Sequence, residues 1–258
     1  MSAAGPAPVL EARNLRKAFG GHVVLDDVSL SFEPNRLSAI IGPNGAGKTT
    51  CFNLLTGFLE PDRGSIHLGG RDITPLPPDR RARLGLCRSF QILTLFDHYS
   101  VLENIRVAVP AMRRRGFDPW TPAGSVSEAE DKAAAIIRLV GLAGREHVEA
   151  GYLSYGQRRL LEIGVALAGE PKLLLLDEPT SGLGSRPMET LRELVQRLSE
   201  GLSIVVIEHD MDFVLSLSHH IAVLHRGRVI AEGPPEAIRD NPEVREAYLG
   251  KLKYATAR

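Results

Sequence analysis

Cysteine is scarce in this sequence: its 258 residues include two, Cys51 and Cys87. Two cysteines exclude a disulfide scaffold and a cysteine-rich zinc site, and so low a count favours a reducing compartment. The sequence also lacks the roughly 18 consecutive apolar residues of a membrane span, and the apolar run 173–176 has only the length of a strand. The first residues show neither the basic nor the apolar segment of a secretory signal. We therefore expect a cytoplasmic location.

An excess of charge of either sign is also absent. The chain has 31 Lys and Arg residues against 31 Asp and Glu residues, so its formal net charge is zero. This balance argues against binding to nucleic acid through a basic surface, and it gives no sign of an acidic disordered tail. With 43% hydrophobic and 24% charged residues, the composition is that of an ordinary globular protein with one large or two modest domains.

The apolar pattern predicts strands and helices in alternation over most of the chain. This order favours an α/β fold with a mostly parallel sheet covered on both faces. Glycine and proline mark the ends of several elements, as Gly57 and Gly201 do for two helices. The predicted strands are 9–19, 22–32, 37–41, 173–176 and 203–207 with a hairpin over 221–231, and the predicted helices are 49–55, 155–168 and one that opens near Pro187.

The middle of the chain, residues 80–150, has a different character. Ser127 and Glu130 form a capping-box pattern that predicts the start of an amphipathic helix, which Gly141 closes. We interpret this region as a mostly helical insertion between the two parts of the α/β fold.

A glycine-rich stretch, residues 42–49, follows the predicted strand 37–41 directly and reads GPNGAGKT, which matches the pattern GxxxxGK[ST]. Glycine lets backbone N–H groups approach a polyphosphate closely, and the following helix adds the positive end of its dipole. Lys48 is expected to reach the β- and γ-phosphates, and the hydroxyl of Thr49 to bind Mg²⁺. Cys51, just past this stretch, is expected to be a packed thiol rather than a reactive one.

Two carboxylates follow a second buried strand. The apolar run 173–176 delivers Asp177 and Glu178 at its carboxyl end, where ligands bind in open α/β sheets. Asp177 is placed to hold Mg²⁺, directly or through water, and Glu178 to polarise the attacking water as a general base. These features predict binding of Mg²⁺ with a nucleoside triphosphate and its hydrolysis, but they do not choose between an ATPase, a GTPase and a kinase.

The stretch Leu153–Gln157, LSYGQ, makes that choice. Serine and glycine at the start of the helix 155–168 form a second anion site, and one nucleotide does not need two such sites from one chain. Two chains that face each other would use them, because the second site of each would cap the γ-phosphate held by the other. Here the sequence resembles the ATP-binding subunits of ABC transporters over nearly its whole length, and LSYGQ is similar to their signature LSGGQ.

The resemblance implies roles for further residues. Gln91 takes the place of the family's Q-loop glutamine, His209 that of the switch histidine, and Phe19 that of the aromatic that stacks on adenine. At Gly184, in the segment that crosses the dimer, the family usually has Asp or Asn, which puts in doubt communication between the two ATP sites through that side chain. The implied ATP-binding residues are Phe19, Gly42, Pro43, Asn44, Gly45, Ala46, Gly47, Lys48, Thr49, Thr50, Ser154, Tyr155, Gly156 and Gln157; the catalytic ones are Glu178, His209 and Gln91; and the Mg²⁺ ligands are Thr49, Gln91 and Asp177.

The resemblance also implies the architecture: a P-loop NTPase with a RecA-like, mostly parallel sheet, an N-terminal antiparallel β subdomain and a helical subdomain insertion. The whole chain, 1–258, would be a single ABC ATPase domain. Its expected parts are residues 1–36 in the antiparallel β subdomain, 37–90 and 160–258 in the RecA-like core, and 91–159 in the helical subdomain that carries the signature.

Several stretches are similar to the branched-chain (hydrophobic) amino acid importers, among them 88–96, 101–104, 207–211 and 241–250. The resemblance implies an ATPase that powers import by ATP-driven dimer closure, at the cytoplasmic face of the inner membrane as a peripheral subunit. Its partners would be a second copy or a paralogous ATPase, two permease subunits and, indirectly, a substrate-binding protein, with no nucleic acid. Importers of urea and short-chain amides share much of this pattern, lipopolysaccharide-exporting ATPases share the tail, and a non-transport ABC ATPase or an interaction module without turnover are more distant alternatives.

Overall fold

The computed structural model describes residues 7–89, 95–109 and 124–249, with side chains from residue 128 in the helix that begins at Gly124. The chain divides into two compact units. The first comprises Met1–Leu84 and Ser199–Arg258, and the second comprises Gly85–Leu198. Strands and helices are numbered below in chain order across both units.

The first unit contains an antiparallel sheet with the strand order β2-β1-β4-β5. Strands β1 and β2 match the sequence prediction, whereas β4 and β5 were not predicted. On β2, Leu25, Val28 and Leu30 are buried at every second or third position, which is the pattern of a strand with one covered face. The strands are β1 Leu10–Phe19, β2 His22–Phe32, β4 Arg63–Leu68 and β5 Arg71–Asp72.

A second sheet in this unit has β3 (Leu37–Ile41) at its centre. Strands β8 (Ser203–Ile207) and β9 (His220–His225) pair with it in parallel on either side, and β10 (Arg228–Gly233) pairs with β9 as a hairpin. Every residue of β3 and β8 is buried, as expected for parallel strands covered on both faces. The helices of this unit are α1 Lys48–Thr56, α2 Pro78–Arg83, α7 Met211–Leu217, α8 Pro235–Arg239 and α9 Pro242–Leu249.

The second unit combines two parallel strands with a helical layer. Strand β6 (Leu86–Ser89) pairs in parallel with β7 (Leu173–Asp177). The helices α3, α4 and α5 pack against one another, and Ile105, Ile137 and Leu161 are fully buried. The helices are α3 Val101–Arg106, α4 Gly124–Leu139, α5 Tyr155–Ala168 and α6 Ser185–Ser199, with a 3₁₀ turn over Ala150–Tyr152.

The local predictions differ from the structure at a few element ends. The helix expected to start at Ser127 begins earlier, at Gly124, so the prediction of Ser127 as its start is wrong. The capping box in this region lies instead at Ser100 and Glu103, at the start of α3. The hairpin over 221–231 is confirmed, with its turn at Arg226 and Gly227 between β9 and β10. Across the described ranges, no helix is long and apolar enough to cross a bilayer.

Candidate functional site

The glycine-rich loop, residues 42–50, joins β3 to the start of α1 in the first unit. Gly47 precedes α1 in a left-handed conformation with φ of 101°, and no side chain caps the helix. The positive φ favours glycine here, and a β-carbon at Gly47 would also crowd Cδ2 of Leu25 at 2.7 Å and the carbonyl oxygen of Val24 at 3.1 Å. Because no side chain caps α1, an anion that approaches along the helix axis would meet the positive end of the helix dipole.

Lys48 supplies the positive charge of this loop. Its side chain is 8% exposed. The ammonium Nζ donates to the backbone oxygens of Gly42 at 2.7 Å and Pro43 at 3.2 Å. This places a buried ammonium beside the backbone of the glycine-rich loop, and the combination of positive charge and loop backbone suits a polyphosphate.

The β9–β10 hairpin contacts the glycine-rich loop through main-chain groups. Gly227 donates its N–H to the carbonyl of Ala46 at 3.0 Å and accepts the N–H of Asp26 at 2.9 Å. A β-carbon at Gly42 would collide with the backbone carbonyl of Leu224. Gly227 thus links the loop on one side with Asp26 of β2 on the other. Composition and spacing predicted the hairpin but not its contact with the loop.

His209 and Phe19 complete the predicted residues of the first unit. The side chain of His209, just after β8, is 57% exposed, and its Nδ1 lies 3.8 Å from Oε2 of Glu208. Its backbone N–H donates at 3.0 Å to the carboxylate of Glu208, which is fully buried. Phe19, at the end of β1, is 46% exposed, and the ammonium of Lys17 lies 5.7 Å from its ring centroid. An exposed aromatic ring of this kind can serve as a stacking platform.

Asp177 ends β7 in the second unit, and Glu178 follows it directly. Asp177 is 2% exposed, and its Oδ2 accepts from Nη2 of Arg88 at 2.5 Å. Glu178 is half-buried and has a positive φ of 43°, which a non-glycine residue adopts only where its surroundings hold it, at a cost of about 1–3 kcal/mol. The pairing of Arg88 with Asp177 could not be predicted from sequence patterns, because it links residues far apart in the chain.

The stretch LSYGQ forms the start of α5, also in the second unit. Ser154 accepts the N–H of Gln157 at 3.4 Å, and the side chain of Gln157 accepts the N–H of Ser154 at 3.1 Å, which is a complete capping box. Ser154 and Tyr155 are both exposed. A β-carbon at Gly156 would lie 2.8 Å from Cβ of Pro187, so the position has no room for a side chain.

The predicted residue Gln91 lies outside the described residues. Gly184, at the position where Asp or Asn was expected, is exposed, and a β-carbon there would meet no atom within 4 Å. The structure therefore leaves room for a side chain at Gly184.

The oxygen donors present suit Mg²⁺ bound together with a nucleotide. Within the described part of the chain, no group of three or more His, Cys, Asp or Glu side chains could hold a metal ion by itself. Magnesium typically takes one or two protein oxygens and completes its octahedron with phosphate oxygens and waters. The hydroxyl of Thr49 in the first unit and the carboxylate of Asp177 in the second are each, taken singly, a hard oxygen donor of that kind.

Cys51 has no part in this chemistry. Its side chain lies fully buried on α1, and burial raises the pKa of its thiol to about 12. A thiol of this pKa is protonated at neutral pH and is therefore a poor nucleophile. The prediction of a packed thiol is confirmed.

Family models match two parts of the chain. The model described as ABC transporter matches residues 25–181, which include the glycine-rich loop, LSYGQ, Asp177 and Glu178. The model described as branched-chain amino acid ATP-binding cassette transporter matches residues 228–252, which begin with β10 and contain α8 and α9.

Curated relatives and solved structures agree with these matches. The chain is 41% identical to the high-affinity branched-chain amino acid transport ATP-binding protein BraF of Pseudomonas aeruginosa, over 95% of this chain and 98% of the relative. It is 39% identical to the protein LivG of the same description from Escherichia coli, with the same coverage. The crystal structure of an ATP-binding cassette of an ABC transporter in its ADP conformation superposes with a TM-score of 0.83 at 33% identity, over 94% of this chain and 99% of that chain.

Proposed function

The chain belongs to the ABC transporter family of ATP-binding subunits, and on that premise we propose that it hydrolyses ATP to power the import of branched-chain amino acids through a membrane permease. The observation that carries the substrate class is the match of residues 228–252 to the branched-chain family model, because the ATP-binding motifs are shared by transporters of many substrates. The identity of 39–41% to BraF and LivG over nearly the whole chain supports the same assignment.

In the proposed site, each ATP lies between two chains. Residues 42–50 of one chain hold its phosphates, with Lys48 at the β- and γ-phosphates and Phe19 stacked on adenine. The start of α5 in the other chain, Ser154–Gln157, covers the γ-phosphate. What supports this arrangement is that the two helix starts, α1 and α5, both present N–H groups, hydroxyls and glycine backbone suited to phosphate.

The proposed hydrolysis depends on the carboxylates of Asp177 and Glu178. Thr49, Asp177 and Gln91 would hold Mg²⁺ together with the nucleotide, and the ion would neutralise charge on the phosphates. Glu178 activates the attacking water as general base, and His209 donates to the γ-phosphate. Loss of the γ-phosphate removes the bridge between the chains and reopens the dimer. The 57% exposure of the His209 side chain and the half-buried Glu178 are compatible with groups that must reach a ligand.

The assembly and the division of the chain are part of this proposal. The ATPase dimer is either a homodimer or a heterodimer with a paralogous subunit, docked on two permease subunits at the cytoplasmic face of the inner membrane. A substrate-binding protein delivers the amino acid on the other side. The chain functions as one ABC ATPase domain in which residues 1–36 belong to the antiparallel β subdomain, 37–90 and 160–258 to the RecA-like core, and 91–159 to the helical subdomain.

Reconstitution with the permease tests the proposed substrate class. The chain is co-purified with its two membrane subunits, placed in proteoliposomes with ATP inside, and supplied with the binding protein and labelled leucine or urea outside. We expect ATP-dependent uptake of leucine and none of urea. Uptake of urea or a short-chain amide in place of leucine would transfer the chain to that importer class, and failure to co-purify with any membrane subunit would contradict a transport role.

A further inference from the structure

One fully buried arginine lies beside the proposed catalytic carboxylate without a role in the site as described. Arg159, on the second turn of α5, is 2% exposed. Its guanidinium donates to three successive main-chain carbonyls, those of Asp177 and Glu178 at 2.8 Å each and that of Pro179 at 3.3 Å. A planar guanidinium with five N–H donors can hold several acceptors at once, which a lysine ammonium on a flexible stem does less well.

The guanidinium is itself fixed from the other side. Its Nη1 donates to Oε2 of Glu162 at 2.6 Å, and Glu162 is 5% exposed. A buried ion pair does not by itself argue for stability, since two apolar residues of similar size often do as well. The hydrogen bonds of Arg159 to the carbonyls of residues 177–179 give the buried pair a purpose that two apolar side chains could not serve.

The first turn of α5 holds the next part of the same segment. The hydroxyl of Tyr155 donates to the carbonyl of Ser181 at 3.2 Å, and its ring lies against Gly182, where an added β-carbon would be 3.2 Å from Cε1. Tyr155 and Arg159 are four residues apart, and such residues project from the same face of a helix. One face of α5 therefore holds the main chain from Asp177 to Gly182.

We propose that Arg159 is a positioning residue for ATP hydrolysis: it holds the peptide groups on both sides of Glu178, in the left-handed conformation of that residue, so that the carboxylate keeps the orientation needed to activate water. Glu162 anchors the guanidinium, and Tyr155 fixes the far end of the segment. The inference rests on the proposed function of Glu178 and deepens it. Helix α5 would then have two roles. Its first turn covers the nucleotide of the partner chain, and its second turn orients Glu178 of its own chain.

The test compares variants in the complete complex with the permease. In the double variant Arg159→Met/Glu162→Met, both charges are removed, so that no buried charge is left unpaired. We expect kcat for ATP to fall by about 10- to 100-fold, the range that a small misplacement of a catalytic group produces, while KM and the affinity for a fluorescent ATP analogue stay within about twofold. Arg159→Lys retains the pair with Glu162 but spans fewer carbonyls, so it should restore kcat in part.

Arg197→Met is the matched control. Arg197 also donates from its guanidinium to a main-chain carbonyl, that of Leu139 at 2.9 Å, but it does not touch the segment 177–182. The kcat of the Arg197→Met variant should equal that of the wild type. A double variant with wild-type kcat, or one that loses kcat and nucleotide affinity in equal proportion, would overturn the role of Arg159. A wild-type complex that hydrolyses no ATP would instead contradict the function proposed for the whole chain.

Discussion

Two helices of this chain begin at proposed phosphate-binding sequences, and they begin in different ways. Helix α1 follows Gly47, which has a left-handed backbone conformation and no side chain that could cap the first turn. Helix α5 follows Ser154, which is extended and closes a full capping box with Gln157. The first helix start is supported by a buried ammonium, that of Lys48, whereas the second has no cation among its own capping residues.

The difference indicates an order of events. At α1, the positive end of the helix and the ammonium of Lys48 lie side by side in a single chain. At α5, the side chains of Ser154 and Gln157 already satisfy two backbone N–H groups, so an anion gains less there. We infer that α1 binds nucleotide first and that α5 engages only the γ-phosphate that another chain presents.

The largest effect is expected from removing the charge at α1. Lys48→Ala deletes the ammonium and its two bonds to the loop carbonyls, and ATP hydrolysis should fall by at least about 10²-fold, as it does when one preorganised donor to a reacting group is lost. Calorimetry should show that ATP binding to the isolated chain is strongly weakened. Lys132→Ala, a lysine on α4, is the control and should bind ATP as the wild type does. Unchanged affinity in Lys48→Ala would remove the basis for the order of events.

The next comparison separates the effect of backbone conformation from the effect of steric contact at the new β-carbon. Gly47→Ala and Gly141→Ala each place a side chain at a positive φ, 101° and 76°, and each should lose about 1–2 kcal/mol of unfolding free energy. Only at Gly47 does the new β-carbon meet a neighbour, and we expect only that variant to lose ATP affinity, by about tenfold or more. Denaturant unfolding and ATP titration of both variants measure the two effects. Equal ATP affinity in the two variants would show that the close fit of the loop is dispensable.

At α5 the capping role and the proposed role in the dimer can be separated, because α3 has the same kind of cap. Ser100 and Glu103 form a capping box like that of Ser154 and Gln157. Ser154→Ala and Ser100→Ala should each cost about 1 kcal/mol of stability. Only Ser154→Ala should weaken ATP-dependent association of the isolated chains, by about tenfold, for the loss of one bond to a charged oxygen. Sedimentation with Mg-ATP distinguishes them, and equal association would limit Ser154 to capping.

The smallest expected effect is a dependence on pH. Glu103, in the capping box of α3, can be protonated, whereas Gln157, in the capping box of α5, cannot. Hydrogen bonds from the backbone and side chain of Ser100 lower the pKa of Glu103 below its ordinary 4.5, whereas Gln157 has no charge to lose. The contribution of Glu103 to stability is present above pH 4.5 and is lost as the pH falls through its lowered pKa. Amide exchange at Glu103 should therefore speed up at acid pH relative to exchange at Gln157. Parallel changes at both amides would show a general loosening of the unit instead.

Much of the fold could be predicted from the sequence because its signals are local. The strand Leu37–Ile41, the helix Tyr155–Ala168 and the hairpin at Gly227 each follow from apolar runs, caps and turns a few residues long. The start of α4 was misplaced because Ser127 matched a capping pattern within a helix that extends further toward its N-terminus. A local pattern does not tell whether the preceding residues also take up the helix.

The residues that the sequence did not reveal act through contacts distant in the chain. Arg88 pairs with Asp177, Arg159 holds the carbonyls on both sides of Glu178, and Gly227 bonds to Ala46. Each of them lies beside a motif that was recognised, yet arginine and glycine there have ordinary explanations as a surface charge and a turn. Only the fold brings them to the segments they support.

The most direct test of the central claim uses Glu178→Gln, which retains the shape of the side chain but cannot act as a base. In analytical ultracentrifugation with Mg-ATP, this variant should bind ATP and form a stable dimer that fails to dissociate, because hydrolysis no longer removes the γ-phosphate between the chains. Adding Lys48→Ala to it should return the chain to a monomer. A Glu178→Gln chain that binds ATP and stays monomeric would contradict the account of ATP held between two chains.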